Sequence, residues 1–272
     1  MNRTPFFKMT GSGNDFVMLD ARQSPASQWS AGRIRAICDR RMGVGADGLV
    51  VLAEEGPDVV RMHFWNCDGS VAAMCGNAAL CSTRLAARLG LGQPEGMTLV
   101  TGAGRFRTRS EAGPDQAALN LTPVPLPQVI SRVPLLAGER SMHLGVVGVP
   151  HLVVEVENLE AIDLMGRGRE LRFHPELGSA GANVNFVALP PSGPIGIRTY
   201  ERGVEGETLA CGTGTVAAGV VLAMAGRTGL PAEFRTRSGM PLRVSARLDG
   251  ESAVDLWLGG EGRLVFEGVW PG

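Results

Sequence analysis

The chain repeats one layout of strand, polar turn and helix. The first copy covers 59–75 and the second covers 195–211, and each ends in a cysteine that is followed by glycine. The cysteines are Cys75 and Cys211, and each has a polar residue, Asn in one copy and Arg in the other, nine positions before it. A repeat of this length is too long for a solenoid. It predicts a duplicated domain, with one thiol in each copy.

Both cysteines are predicted to stand at the start of a helix. The segment that follows Cys211 is apolar on nearly all sides as far as Gly226, which indicates a helix buried in a core. At a helix start the unpaired N–H groups and the positive dipole end favour negative charge, so they lower the pKa of a thiol. Gly212 and Gly214 would leave those N–H groups open to a ligand carboxylate.

Two thiols that face each other have few uses. They can form a disulfide, bind a metal, or act as an acid and a base on opposite faces of one carbon. In the third case one thiolate removes a proton and the opposite thiol returns one, so the configuration of the carbon inverts. Two helix starts could stabilise the intermediate carbanion through the adjacent carboxylate. Racemase chemistry without a cofactor is therefore one of the options that the pattern favours.

The composition narrows the function classes. The 272 residues carry a formal net charge of −1 with the charges interspersed, so no nucleic-acid surface is indicated. The five cysteines lack a paired CxxC spacing, which argues against a disulfide scaffold or a metal site. Neither a signal peptide nor a membrane span is indicated, and the expected location is cytoplasmic. Lys8, the only lysine, lies in a strand without a phosphate loop, which argues against pyridoxal phosphate.

Local patterns predict several elements. The segments 97–101, 105–109 and 117–121 are typical of antiparallel strands, and Ser30 is a candidate cap of a helix that runs through Asp39. A turn is expected at 11–15, another at 148–151, and a short helix at 160–166. The proline-rich segment 122–127 is the best linker candidate.

Several motifs together resemble the diaminopimelate epimerase family. They occur in the family's order and span nearly the whole chain, so the match is far more specific than any one of them. The resemblance implies an α+β fold of two pseudo-symmetric domains. Each would be an antiparallel sheet or barrel around a central helix, with the active site in the cleft between them. The motifs lie at 7–17, 66–70, 74–77, 148–151, 183–186, 200–203 and 210–214.

With this fold, the first domain is expected to cover 1–122 plus 264–272 and to carry Cys75. The second is expected to cover 123–263 and to carry Cys211. The implied reaction is the epimerisation of LL-diaminopimelate to meso-diaminopimelate by two thiols. No cofactor and no metal are expected, the partner is a small amino-acid substrate, and neither nucleic acid nor a membrane is involved. A homodimer remains an open option for the assembly.

The resemblance also assigns residues to roles. Cys75 and Cys211 are implied to be the two acid/base groups. Glu201 and His151 are implied to contact the α-amino group or to tune the thiols. The guanidinium of Arg202 suits a bidentate grip on a distal carboxylate. The other implied substrate-binding positions are four helix-start residues, which would hold the reacting carboxylate, and three asparagines: Gly76, Asn77, Gly212, Thr213, Asn14, Asn66 and Asn183.

Two positions depart from the family pattern. Val149 stands where many members carry an amide that contacts the substrate, and Gly48 stands where members can carry a polar contact side chain. A related cofactor-independent epimerase or racemase of another amino acid, such as hydroxyproline or histidine, therefore stays open. A thiol–disulfide redox protein also stays open, although it would not need the Asn and Glu-Arg positions. A non-catalytic amino-acid-binding module is the last alternative.

Overall fold

The computed structural model describes residues 3–271, so the outer limits of the expected domains at 1 and 272 lie outside the described residues. Within that range no helix has the length and apolar character needed to cross a membrane. Single 3₁₀ turns occur at Ala26–Gln28, Leu159–Ala161 and Pro175–Leu177. The α-helices are α1 (Ala31–Cys38), α2 (Gly76–Arg88), α3 (Leu164–Arg172) and α4 (Gly212–Met224).

Strands make up most of the regular structure. In chain order they are β1 (Thr4–Gly11), β2 (Asn14–Asp20), β3 (Gly48–Gly56), β4 (Val59–Asn66), β5 (Met97–Thr101), β6 (Gly104–Ser110), β7 (Gln116–Leu121), β8 (Val124–Pro125), β9 (Gln128–Val129), β10 (Glu139–Val147), β11 (Val149–Val156), β12 (Asn183–Ala188), β13 (Ile195–Glu201), β14 (Gly206–Thr208), β15 (Ala232–Arg235), β16 (Pro241–Asp249), β17 (Ser252–Glu261) and β18 (Arg263–Trp270).

The chain divides into two compact units. Unit 1 consists of the residues up to Asn120 together with those from Gly259 onwards, and unit 2 is Leu121–Leu258. The sequence prediction places the corresponding boundaries after residues 122 and 263. The chain therefore leaves unit 1 once and returns to it near the end of β17, ahead of its last strand.

In unit 1, β1 pairs antiparallel with both β2 and β18, which holds the end of the chain in this unit. The β3–β4, β5–β6 and β6–β7 pairs are antiparallel. The prediction that 97–101, 105–109 and 117–121 form antiparallel strands is therefore confirmed by β5, β6 and β7. The β2–β3 and β4–β5 pairs are parallel. Parallel pairing needs a longer connection, and α2 forms part of the one between β4 and β5.

Unit 2 has a comparable mixture of pairings. β10 pairs antiparallel with β9 and β11, and β12 pairs antiparallel with β13. β13 also pairs antiparallel with β14, as does β15 with β16. The β11–β12 and β13–β15 pairs are parallel. The parallel β11–β12 pair brings His151 beside Asn183.

Each unit packs its strands around one long helix. α2 contacts β1 and β6 of unit 1, and α4 contacts β10, β11 and β16 of unit 2; both helices have 13 residues. Every residue of α4 from Gly214 to Leu222 is buried, so the prediction of a helix enclosed in a core is confirmed. Removing such apolar surface from water is the main favourable term in folding.

Three local predictions meet the structure differently. Ser30 caps α1 through a bond from the N–H of Arg33, as expected. The expected helix at 160–166 is wrong, because Asp163 caps a helix that starts at Leu164 and runs to Arg172. Asp163 accepts a hydrogen bond from the N–H of Gly166 at 2.9 Å. The glycine that looks like a helix end is therefore part of the first turn.

The expected turn at 148–151 is also wrong. Val147 and Val149 face each other at the end of the β10–β11 hairpin, and Gly148 alone makes the reversal with φ +70°. Glycine accepts this backbone conformation without steric cost. His151 consequently lies inside β11 and is fully buried.

Candidate active site

Cys75 is the N-cap of α2. Its backbone is extended, with φ −145° and ψ 123°, and its side chain does not cap the helix. The N–H of Ala79 donates to the Cys75 carbonyl at 2.9 Å and begins the helical bonding pattern. The N–H groups of Gly76 and Asn77 lie at the start of the helix, before the residue whose N–H makes this bond. The thiol therefore stands beside donors and a positive dipole end that favour an anion.

Cys211 occupies the same position in unit 2. It is the N-cap of α4, with φ −129° and ψ 106°. Its carbonyl accepts from both the N–H and the hydroxyl of Thr215, at 2.9 and 2.8 Å. The hydroxyl of Thr213 lies 3.8 Å from the Cys211 Sγ. The prediction that each repeat places its cysteine at a helix start is confirmed.

The start of α4 lies against β12. A Cβ added to Gly214 would fall 2.1 Å from Oδ1 of Asn185 and 3.2 Å from the Cys211 Sγ. Real Cβ atoms do not approach a polar atom that closely, so only glycine fits here. Because Gly214 has no Cβ, the amide of Asn185 and the thiol of Cys211 can both lie close to the position that a Cβ would occupy.

In unit 1 a chain of amides leads from a carboxylate to α2. The amide NH₂ of Asn14 donates to Oδ2 of Asp47 at 3.0 Å. The Oδ1 of Asn14 then accepts from the amide NH₂ of Asn77 at 2.7 Å. Because a carboxylate only accepts, these bonds fix the orientation of both amides. The Oδ1 of Asn77 is left buried and without a hydrogen-bond partner among residues 3–271. It can accept a bond from a ligand.

Charged groups anchor this amide chain. Arg40 pairs with Oδ1 of Asp47 and with Asp15, both at 2.7 Å, and the buried Lys8 pairs with Asp15 at 2.5 Å. Burial alone would raise the pKa of Asp15, but the hydrogen bonds and charges of Arg40 and Lys8 bring it to about 2. The Asp15 N–H also donates to Asp47 at 3.2 Å.

The turn predicted at 11–15 is shorter than expected, because Asn14 already belongs to β2.

Asn66 and Gly48 lie at the ends of neighbouring strands. Asn66 ends β4, is exposed, and donates to the Ser70 hydroxyl at 3.0 Å. Gly48 begins β3, where a Cβ would fall 2.5 Å from the Trp65 carbonyl oxygen and 2.6 Å from the Phe64 ring. There is no space for a side chain at position 48. This position can offer a ligand only its backbone.

In unit 2 the β11–β12 pair sets His151 directly beside Asn183. Burial, together with the charge of Arg202, lowers the pKa of His151 to about 3, so the imidazole is neutral near pH 7. Its Nε2 is buried and has no hydrogen-bond partner in the part of the chain that the structure describes. The Oδ1 of Asn183 accepts from the backbone N–H of Arg202 at 2.8 Å.

Glu201 and Arg202 lie where β13 ends. Both are half-buried, and Glu201 faces Gly206 of β14. Burial raises the pKa of Glu201 above that of a solvated glutamate, although the neighbouring Thr208 side chain acts in the opposite direction. A carboxyl with a raised pKa takes up a proton at a higher pH than a solvated glutamate does. Such shifts are common among groups that exchange protons at functional sites.

The structure thus brings two groups of predicted residues together. One joins Asn14 and Asn77 at the start of α2, and the other joins His151, Asn183 and Arg202 on adjoining strands. Asn66 makes its contact within its own turn. Sequence reasoning gave no role to Asp47 or to Asn185, although alternation along a strand predicts that Asn185 shares a face with Asn183.

The remaining cysteines have different surroundings. Cys38 and Cys81 are buried, and Cys67 is exposed. Burial raises the pKa of Cys38 to about 12 and that of Cys81 well above its usual range, so both thiols stay protonated. Neither of them offers a thiolate at neutral pH.

Two solved structures share the fold. A PhzF-family phenazine biosynthesis protein from Bacillus anthracis superposes with a TM-score of 0.75 at 15% identity, covering 99% of each chain. A hydroxyproline epimerase from Agrobacterium vitis superposes with a TM-score of 0.65 at 19% identity, covering 98% of this chain and 92% of that one. At such identities the likeness shows the fold alone.

The sequence comparisons go further. The family model for diaminopimelate epimerase matches 6–117 and 145–255, most of both units. The diaminopimelate epimerase of Gemmatimonas aurantiaca is 45% identical over 277 residues, and the alignment covers 98% of this chain and 99% of the relative. With a family model and a near full-length relative in agreement, the chain belongs to the diaminopimelate epimerase family.

Proposed function

We propose that this chain is an isomerase that epimerises LL-diaminopimelate to meso-diaminopimelate, with Cys75 and Cys211 as its two acid/base groups. The observation that carries the proposal is the same local structure in both units: a cysteine as the N-cap of a 13-residue helix. Family membership supplies the substrate, and the two helix starts supply the chemistry.

The reaction needs one acid and one base. One cysteine, as its thiolate, takes the α-hydrogen as a proton, and the electron pair of the broken C–H bond stays on the α-carbon. The other cysteine, as its thiol, gives a proton to the opposite face, so a new C–H bond forms with inverted configuration. The two cysteines end with exchanged protonation states. The reverse reaction therefore starts from the opposite pair.

The negative charge that forms at the α-carbon spreads into the carboxylate attached to it. Backbone donors at the two helix starts, from Gly76, Asn77, Gly212 and Thr213, are proposed to hold that carboxylate. Such donors are already oriented and need no rearrangement as charge develops. The buried Oδ1 of Asn77 cannot bind the carboxylate, since both groups only accept, but it can accept a hydrogen bond from the α-ammonium group.

The polar groups of unit 2 fit the rest of the substrate. Glu201 is proposed to contact the α-amino group, His151 to tune the thiols, and the Arg202 guanidinium to hold the distal carboxylate. The bond from the Arg202 backbone to Asn183 restricts the base of that side chain. We propose that Asn183 acts on the substrate site through Arg202, as well as being a candidate contact. Asn14 and Asn66 are the proposed contacts from unit 1.

The test is proton NMR of the reduced protein with LL-diaminopimelate in deuterium oxide, without added cofactor. We expect the α-hydrogen signal to disappear and the meso form to accumulate with deuterium at the inverted carbon. Folded, reduced protein that leaves both signals unchanged would contradict the proposal. The same measurement with hydroxyproline and histidine tests the second candidate, an epimerase of another amino acid.

One observation favours that second candidate. Val149 is half-buried at the start of β11, opposite Val147, and has no side-chain group that can donate a hydrogen bond. An apolar residue there reduces the polar contacts available to a distal ammonium or carboxylate. If Val149 determines the choice of substrate, Val149→Asn will raise kcat/KM for LL-diaminopimelate relative to the other amino acids.

The amide chain of unit 1 gives a separate prediction. Asp47→Ala removes the acceptor that orients Asn14 and, through it, Asn77, so kcat/KM is expected to fall about tenfold, as for the loss of one oriented hydrogen bond. Steady-state kinetics checks this. The matched control is Asp39→Ala, since Asp39 is an exposed carboxylate whose side-chain hydrogen bonds, among residues 3–271, come from the N–H groups of Arg41 and Met42. Equal rates for the two variants would contradict the proposed role of Asp47.

The setting of the enzyme is also proposed. A cytoplasmic location suits the mechanism, because both thiols must stay reduced and the cytoplasm keeps thiols reduced. We propose a small-molecule substrate with no nucleic-acid partner, and a homodimer as the assembly to be tested by light scattering across a range of protein concentrations.

A further inference from the structure

The amide of Asn185 makes three contacts inside unit 2, and it is fully buried. Its NH₂ lies 3.2 Å from the Leu152 carbonyl oxygen and 3.3 Å from Nδ1 of His151. Its Oδ1 accepts from the Thr199 hydroxyl at 3.0 Å. Both contacts of its NH₂ group are therefore with residues of β11.

These partners determine which end of the amide is which. A carbonyl oxygen can only accept, so the atom of Asn185 that faces Leu152 must be the NH₂ group. The same NH₂ group faces Nδ1 of His151. That ring nitrogen must then accept, which in a neutral imidazole puts the proton on Nε2.

The amide of Asn185 also lies near a thiol. A Cβ added to Gly214 would fall 2.1 Å from Oδ1 of Asn185 and 3.2 Å from the Cys211 Sγ, so these two atoms can be no further apart than the two distances taken together. In register, Gly145 of β10 and Asn183 of β12 flank His151, and the charge that acts on the ring is that of Arg202. No carboxylate shifts the pKa of the ring within the described residues.

We propose that Asn185 is a positioning residue, which holds His151 as its Nε2–H tautomer through one end of its amide while the other end lies near Cys211. The role rests on the proposed function, since it matters for the thiol chemistry at Cys211. The Nε2–H is then a buried donor without a partner among the residues that the structure describes. A donor held in place stabilises negative charge that develops on a thiolate or on the substrate. Nδ1 could not serve, because it is occupied by Asn185.

The direct test is nitrogen NMR of the intact reduced enzyme labelled with ¹⁵N-histidine. The chain has four histidines, and a His151→Gln spectrum identifies the His151 signals by difference. We expect a protonated, pyrrole-type Nε2 and an unprotonated, pyridine-type Nδ1 in the wild-type protein. A protonated Nδ1 in the wild type would overturn the proposal. Because this readout needs no substrate, it stands or falls separately from the proposed reaction.

Kinetics adds a test of function. Asn185→Asp replaces the NH₂ donor by a carboxylate. The carboxylate accepts a hydrogen bond from a protonated Nδ1 of His151, and its charge raises the pKa of the ring. We expect kcat to fall on the order of 10²-fold, and the acid limb of the kcat/KM profile to move to higher pH. The direction follows because a raised pKa lets the ring become charged at a pH where the wild-type ring is neutral. A variant that only destabilised the fold would lower the active fraction and leave the profile unmoved.

A matched control comes from the same network. Thr199→Val removes the bond to Oδ1 of Asn185 but leaves the NH₂ donor that faces His151. We expect its His151 tautomer and its pH profile to match the wild type. If Asn185→Asp and Asn185→Ala both keep the wild-type tautomer and profile, Asn185 does not position His151.

Discussion

Replacing either Cys75 or Cys211 by alanine is expected to lower the rate of epimerisation at least 10³-fold. Positioned acid or base groups typically contribute 10²- to 10⁴-fold each, and inversion needs both in one turnover. Without one cysteine, the step on that face of the α-carbon has no proton donor or acceptor of suitable pKa. The loss is therefore expected in kcat, with a smaller change in KM.

The two variants are expected to differ in what they retain. The remaining thiolate can still remove the α-hydrogen of the one stereoisomer that presents it on that side. Each variant should thus exchange deuterium into either the LL or the meso form, and the two variants should prefer opposite forms. Proton NMR in deuterium oxide measures exchange and inversion together. Undiminished epimerisation by Cys75→Ala or by Cys211→Ala would end the two-base mechanism.

The natural control is Cys67→Ala. Cys67 lies in the turn after β4 and is exposed, so its removal eliminates a reactive thiol of unit 1 without touching a helix start. Its activity should equal that of the wild type. Because Cys38 and Cys81 are buried and protonated, alkylation of the Cys67→Ala variant should inactivate it through Cys75 or Cys211.

The helix starts were predictable because their signals are local. A glycine-rich step followed by an apolar run defines the start of a buried helix, and the repeat of this pattern at Cys75 and Cys211 indicates two domains. The α+β fold of two related domains was predictable in the same way, with the family motifs in support. The structure divides the chain within a few residues of the expected positions, after Asn120 and Leu258.

The contacts around the thiols were not predictable from local pattern. His151 looks like a turn residue because Gly148 and Pro150 precede it, yet one glycine is enough to reverse the chain and β11 continues through the proline. The parallel pairing that sets His151 beside Asn183 joins segments more than thirty residues apart. Likewise, the bond between Asn14 and Asn77 spans the first helix and two strands. Sequence spacing carries no record of such pairings.

The buried ion pair between Glu139 and Arg167 leads to the second large effect. The pair is bidentate, with both bonds at 2.9 Å, and the side chains are only 1% and 6% exposed. It joins the start of β10 to α3, and α3 packs through Gly168 against Tyr200, where an added Cβ would lie 2.7 Å from the Tyr200 Cβ. Tyr200 immediately precedes the Glu201–Arg202 pair of the candidate site. The anchor of α3 therefore supports the strand that carries substrate contacts.

Glu139→Gln is expected to lower the free energy of unfolding by about 3 kcal/mol, because it leaves the Arg167 charge buried without its main counter-charge. Glu170→Gln is the matched control: Glu170 also pairs with Arg167 at 2.9 Å but its side chain is 58% exposed, so its loss should cost less than about 1 kcal/mol. Urea unfolding followed by circular dichroism measures both. Glu139→Met combined with Arg167→Met removes the two charges together and should recover much of the stability, since an apolar pair of similar volume needs no counter-charge. Equal losses for Glu139→Gln and Glu170→Gln would show that burial does not determine the strength of this pair.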